Sequence, residues 1–406
     1  MGLYLGGQLV SPVIVKKIPQ SKYGLTADSV FGDLVDGEIQ DATQHFVWDL
    51  SGVKTVRDFQ FDQFFFVRFP ELISLIDGAV IPDLETVGSY GFKYALRETA
   101  IKSLYIGKES AVTYEGAFSG ICNACRQLNT VKINIQNIAP YSFEYAFTDS
   151  DRLVELNLDS VVRVENYGFI GALQGCNSLK SISCPNLEYI GYSGMDKLGV
   201  NSGSVVASIE TVSFPKLTTV ETYGLREAFR RSMIKGDVEF PKLTTIAARG
   251  IRVCFADCSF YRYNLLMPEL TYVGDYGMEQ TCWNSYIELI NFNKLEHIGP
   301  SGLQRTFDSC QYLQSEITFP ALHTTDASAF NRTFNNTPIT KIFFPSLVNI
   351  NTTTFTGGGG ASHYTFIGCD LLTEIHFRAD AQATVESLEG YADKWGATNA
   401  VIYFDL

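Results

Sequence analysis

The 406-residue sequence predicts a repeat solenoid built from parallel β ladders with short helical or 3₁₀ turns between them. Two observations carry that expectation. A seven-residue line recurs at a near-constant spacing: Phe214-Pro-Lys-Leu-Thr-Thr-Val220 returns as Phe240-Pro-Lys-Leu-Thr-Thr-Ile246, Met267-Pro-Glu-Leu-Thr-Tyr-Val273, Phe319-Pro-Ala-Leu-His-Thr-Thr325 and Phe344-Pro-Ser-Leu-Val-Asn-Ile350. Ile81-Pro-Asp-Leu-Glu-Thr-Val87, Cys184-Pro-Asn-Leu-Glu-Tyr-Ile190 and the degenerate Phe292-Asn-Lys-Leu-Glu-His-Ile298 belong to the same series. A second apolar slot keeps step with it, at Leu96, Cys122, Phe147, Leu173, Leu198, Phe229, Phe255, Thr281, Phe307, Phe334 and Phe366. Together they give about eleven coils of about 26 residues, each too small to bury a core except against its neighbours.

Within a coil the elements follow in order. Leu179-Lys-Ser-Ile-Ser-Cys184 alternates and reads as a strand. Pro185 ends it, because proline cannot donate to a ladder. Leu187-Glu-Tyr-Ile190 is a second short strand, Gly191 turns the chain, and a helical or 3₁₀ turn follows, as in Tyr223-Gly-Leu-Arg-Glu-Ala-Phe229. Two longer steps contain Gly199-Val-Asn-Ser-Gly-Ser204 and Thr356-Gly-Gly-Gly-Gly-Ala-Ser362, expected as flexible insertions.

Three segments are expected. Residues 1–50 break the repeat; Leu3 to Val10 reads as a hairpin turning at Gly6-Gly7, Val13-Ile-Val15 adds a strand, and 16–45 reads as a loop-rich connector. Residues 51–378 form the solenoid. Residues 379–406 form a cap, with Asp380 capping a helix to about Tyr391, a turn at Lys394 to Ala397, and a last strand from Ala400 to Phe404. A solenoid needs its open end covered.

Composition excludes several function classes. Net charge is −13 with no basic cluster, so nucleic acid is not an expected partner. No apolar run is long enough to span a membrane. The start, Met1-Gly-Leu-Tyr-Leu-Gly-Gly-Gln, lacks the charge and apolar run of a secretory leader. Cys125, Cys176, Cys258, Cys310 and Cys369 share one repeat position, held elsewhere by Ser150, Ser232 and Thr337, and are expected as reduced buried thiols. Coils two apart lie about 10 Å apart at β spacing, too far for a disulfide. Cys122-x-x-Cys125 has half a zinc spacing without a second half, and Gly357 to Gly360 lacks the Lys-Ser/Thr of a phosphate loop. No metal, cofactor or catalytic residue is expected.

Phe307-Asp-Ser-Cys-Gln-Tyr-Leu313, Phe366-Ile-Gly-Cys-Asp-Leu-Leu372 and Leu187-Glu-Tyr-Ile-Gly-Tyr-Ser-Gly resemble the BspA-like, or Treponema-type, leucine-rich repeat. The likeness covers residues 51–378 and implies a right-handed leucine-rich-repeat superhelix. The coils here are longer than the usual 23 or so residues of that family's pattern, and the alanine before the phenylalanine is often missing. The two ends are similar to those of leucine-rich repeat proteins in phages and prophages of gut Firmicutes. That second likeness implies a phage tail-associated or receptor-binding protein located in the virion. Residues 1–50 would then join other virion proteins, and a solenoid face would meet a host surface protein or glycan. A bacterial cell-surface adhesin of the same repeat type is the alternative, and a carbohydrate-active enzyme is less favoured because no paired carboxylates stand out. A homo-oligomer is compatible with either reading.

The outward column of the first ladder contains the candidate binding residues: Tyr105, Lys132, Asn157, Glu239, Leu266, Asn291, Phe343 and His376. Aromatic and apolar side chains on the water side of a polar sheet are the makings of a binding patch. The matching column of the second ladder, Thr219, Thr245, Tyr272, His297 and Asn349, reads as solvated strand.

Overall fold

The computed structural model describes residues 4–5, 8–9, 14–17, 45–68, 70, 73–199, 208–358 and 360–406. The chain divides into two units, Met1–Leu179 and Lys180–Leu406, and each is a solenoid of parallel ladders. Together they hold about 13 turns. This exceeds the expected eleven, because the repeat extends beyond the coils counted from the apolar slot, as at Ile76–Ile81.

In the first unit the first ladder runs Ile14–Lys17, Phe46–Asp49, Ile76–Ile81, Ser103–Ile106, Thr130–Ile133 and Glu155–Asn157, every pair parallel. The second ladder joins Thr55–Val56, Thr86–Val87 and Val112–Thr113, and Asn137–Ile138 pairs with Arg163–Val164. Tyr4–Leu5 and Gln8–Leu9 pair antiparallel; the Gly6-Gly7 turn and the connector from 18 to 44 lie outside the described residues.

In the second unit the first ladder runs from Ser181–Ser183 through Thr211–Ser213, Gly236–Glu239 and Tyr263–Leu266 to Ile287–Asn291. A further sheet takes Glu316–Thr318, Lys341–Phe344, Glu374–Phe377 and Val401–Phe404. Seven two-residue strands, from Tyr189–Ile190 to Asn349–Ile350, form the second ladder. Most of the insertion after Gly199, residues 200–207, lies outside the described residues, as does residue 359 in the other insertion.

The expected helical turn appears at Phe64–Arg68, but the third side of most coils differs from it. It is a ribbon of consecutive turns in which every fourth residue is left-handed, as at Tyr90 (φ 55°), Tyr94 (φ 50°) and Glu98 (φ 59°). Alternate N–H groups reach the next coil: Tyr90 to Glu115 O (3.0 Å), Phe92 to Ala117 O (2.8 Å), Tyr94 to Ser119 O (2.9 Å), Leu96 to Ile121 O (2.9 Å). The intervening ones close local turns, Gly91 to Gly88 O (3.1 Å) and Lys93 to Tyr90 O (3.1 Å). Every backbone donor in the series thus finds a partner, and half of those partners lie in the adjacent coil, which a helix could not provide.

These intercoil bonds also fix the register of the apolar slot. Phe255 N donates to Thr281 O (2.8 Å) and Cys282 N to Thr306 O (2.9 Å), so Cys282 occupies the slot assigned to Thr281. Likewise Gly199 N donates to Ala228 O (3.1 Å), which places Gly199 level with Phe229 and Leu198 one position before the slot. Both shifts arise where a coil gains or loses one residue, which spacing alone cannot locate.

The core is made of ring columns. Phe92, Phe118, Phe143 and Phe169 stack at 5.0–5.4 Å in the first unit. Phe229–Phe255 (5.5 Å), Phe307–Phe334 (5.7 Å) and Phe319–Phe344 (5.6 Å) do so in the second.

The segment from 379 to 406 closes the second unit differently from expectation. Asp380 caps no helix; it lies in a 3₁₀ turn, Ala379–Ala381, and pairs with Arg378. The α-helix spans only Gln382–Glu386, with Ala381 at its N-cap and no side-chain cap bond. Trp395 lies fully buried 4.6 Å from the Phe355 ring, with its Nε1 donating to Glu389 O (2.9 Å). Val401–Phe404 then pairs parallel with Glu374–Phe377.

Candidate recognition surface

Strand alternation places each candidate residue on the outward side of the first ladder, in three groups. In the first unit Tyr105, Lys132 and Asn157 are in register on adjacent strands. Lys132 Nζ lies 5.6 Å from the Tyr105 ring centre, and Asn157 Nδ2 donates to Asp159 Oδ2 (2.8 Å). In the second unit Glu239, Leu266 and Asn291 are in register, following Ser183 and Ser213. Phe343 and His376 form the third group, between Thr318 and Tyr403.

Tyr105, Leu266 and Phe343 are half-buried and not freely exposed, because neighbouring strands at ladder spacing cover their flanks. The third group is the most ordered. Phe343 stacks on His376 (4.7 Å, 19°) and His376 on Tyr403 (4.8 Å, 13°). His376 Nδ1 lies 2.8 Å from Asp405 Oδ1 and Nε2 3.1 Å from Glu374 Oε2, and Lys341 Nζ reaches the same Glu374 carboxylate at 3.1 Å. The His376 contact, followed by Lys341, holds the Glu374 carboxyl below its ordinary value. On the second ladder Tyr272 and His297 meet edge to face (5.3 Å), and His297 Nε2 lies 3.0 Å from Asp326 Oδ2.

Sequence reasoning missed several exposed rings. Phe260 (50%), Tyr261 (42%) and Tyr312 (39%) lie at the entrances to first-ladder strands in the second unit. There Lys235 sits over Tyr261 (4.6 Å), Arg262 over Tyr312 (4.2 Å), and Tyr286 meets Tyr312 (4.8 Å). No periodic signal marks these positions, since they fall between the turn ribbon and the strand. Phe59 (56%) is the corresponding surprise on the ribbon of the first unit.

The shared cysteine position has a definite bonding role. Cys125 Sγ donates to Leu96 O (2.9 Å), Cys176 to Phe147 O (3.2 Å), Cys310 to Cys282 O (3.0 Å) and Cys369 to Phe334 O (2.8 Å), in each case the slot carbonyl of the preceding coil. Ser150 and Ser285 make the same bond with a hydroxyl, at 3.1 and 2.7 Å. Ser285 enters this series only through the corrected register. A second stitch comes one residue before the slot, where Thr306 and Thr333 donate to Met278 O and Leu303 O at 2.8 Å each. All nine cysteines are buried free thiols. Among the described residues no three His, Cys, Asp or Glu side chains converge as metal ligands, and no helix is long and apolar enough to cross a membrane.

Stacked coils with a regular outward ladder and side chains committed to packing define a repeat protein whose surfaces are for interaction. The model of the BspA type leucine rich repeat region matches in six copies over residues 85–231 and 225–359. The chain belongs to that family. Among solved structures it is similar to a leucine-rich repeat protein from Bacteroides ovatus, at 16% identity and a TM-score of 0.36, over 88% of this chain and 91% of that one. No curated protein matches. Leucine-rich repeats of this kind are usually non-enzymatic scaffolds for protein interaction or adhesion.

Proposed function

We propose that this chain is a non-enzymatic recognition protein, a tail-associated or receptor-binding component of a phage that meets a host surface protein or glycan. The observation that carries the recognition reading is the outward side of the first ladder in each unit, where Tyr105 stands beside Lys132 in the first and Leu266 and Phe343 stand among polar neighbours in the second, at positions the core does not require. Residues 1–50 are the attachment segment, residues 51–378 the reading array and residues 379–406 its cap. The virion assignment rests on the likeness of the two ends to phage and prophage repeat proteins. A bacterial surface adhesin of the same family is the second reading, favoured by the family match itself.

Replacing Tyr105, Leu266 and Phe343 together by Ser tests the reader face. The variant is expected to keep its fold and to lose binding to host cells or their extracted surface glycans. Undiminished binding would move the face elsewhere, first to Phe260, Tyr261 and Tyr312. Removing residues 1–13, which precede the first ladder strand Ile14–Lys17, is expected to leave cell binding intact while abolishing incorporation into particles. Turnover of a glycan by the purified protein would overturn the non-enzymatic assignment.

A further inference from the structure

We infer that Val401–Phe404 is a self-association edge, at which a second copy of this chain pairs antiparallel about a two-fold axis through Tyr403. Among the described residues this strand has one neighbour, Glu374–Phe377, and its other side is unpaired. The edge carries none of the usual protection. Its sequence is Val-Ile-Tyr-Phe, with no charge and no proline. Val401 is 52% and Tyr403 38% exposed. Ile402 and Phe404 face the core side, yet remain half-exposed where their ladder partners Ile375 and Phe377 are fully buried.

Two features favour a second copy as the occupant. First, the strand is self-complementary in register. Opposed residues of an antiparallel pair share a face of the sheet. With the axis at Tyr403, Ile402 opposes the partner's Phe404 on the core side, so each copy covers the other's half-exposed apolar pair. Val401 then opposes the partner's Asp405 on the outer side. Second, the outward stack Phe343–His376–Tyr403 has steps of 4.7 and 4.8 Å and ends with one face of Tyr403 unstacked by any described ring. Opposed Cα atoms across such a pair lie about 4.5–5.5 Å apart. The partner's Tyr403 therefore continues the stack at nearly its own step.

Head-to-tail stacking is disfavoured by the other edge of the same kind. Ile14–Lys17 reads Ile-Val-Lys-Lys, and Lys16 stands at the register position of the buried Trp48. Two lysines in a four-residue edge strand oppose its addition to another strand edge. One edge is guarded and the other is not, which leads to a closed dimer and not a fibre.

Light scattering across a concentration series of the intact chain tests this. The wild type is expected to approach twice the 45.1 kDa chain mass as concentration rises. Tyr403→Lys, a change at an exposed position, is expected to hold the mass at that of one chain with an unchanged circular dichroism spectrum. Tyr403→Cys is expected to give a disulfide-linked dimer on mild oxidation, whereas Tyr105→Cys is not. A wild type that stays monomeric, a dimer that survives Tyr403→Lys, or growth beyond the dimer would each overturn the proposal. A dimer that Tyr403→Lys disrupts but that Tyr403→Cys fails to link would overturn the antiparallel register.

Discussion

On the turn ribbon of the first unit several tyrosines cover a glycine of the next coil. Gly116 (φ +63°) lies under the Tyr90 ring, and a Cβ there would sit 2.2 Å from Tyr90 Cε1. Gly120 (φ +60°) and Gly171 (φ +60°) stand in the same relation to Tyr94 and Tyr145, at 2.1 and 2.3 Å. Gly116→Ala is expected to cost about 1–3 kcal/mol through left-handed strain and overpacking. Tyr90→Ala in the same chain should recover the overpacking share, which denaturant titration of the single and double variants measures. The thiol stitches give a second expectation at this scale. Cys310→Ala should cost about 1 kcal/mol for the bond lost to Cys282 O, and Cys310→Ser less, because hydroxyls already serve at Ser150 and Ser285. Amide exchange in the two adjoining coils would reveal either loss.

Among the elements, the strands were legible and the ribbon was not. Apolar alternation and the proline after each strand mark the first ladder directly. The ribbon depends on the sign of φ at Tyr90, Tyr94 and their equivalents, and no residue type there announces it, since Arg249, Val253 and Gln280 adopt the same conformation. Counting also failed locally at Gly199 and Cys282, because a one-residue change in coil length leaves the neighbouring apolar residue buried as well: Leu198 is 2% and Thr281 0% exposed. The candidate site shared this limit. Alternation placed Phe343 and His376 on one column, but not Tyr403, whose strand lies past the last repeat. Phe307→Ala or Phe334→Ala should cost about 3–5 kcal/mol, since each ring is fully buried and stacked on its neighbour. Exchange protection should fall in that coil and those beside it and survive further away. Asp380→Ala should cost less than about 1 kcal/mol, as expected of an exposed ion pair and not of a helix cap.

At the scale of the whole molecule, buried thiols with raised pKa make stability fall in alkali. Burial pushes Cys176 and Cys282 up to about 12 and raises Cys122, Cys254 and Cys310 as well. An unfolded thiol ionises near 8.5. Between those values the unfolded chain binds fewer protons than the folded one, so the stabilisation is complete below about pH 8.5 and declines as pH rises toward 12. Urea midpoints measured at pH 7, 9 and about 10.5 should fall in that order. Titration with a thiol reagent should find none reactive in the native protein and nine after denaturation without reductant.

The tyrosine that covers the next coil's glycine gives the array a grammar as well as a period. The coil bearing Tyr90 and Tyr94 is followed by one bearing Gly116 and Gly120, and Tyr145 is followed by Gly171. Where ring follows ring, as Tyr167 follows Tyr141, the two stack at 4.6 Å, so a column continues either with a covered glycine or with a stacked ring. A gene for such an array can therefore lengthen in two ways, by duplicating a tyrosine–glycine pair or by setting one tyrosine coil upon another.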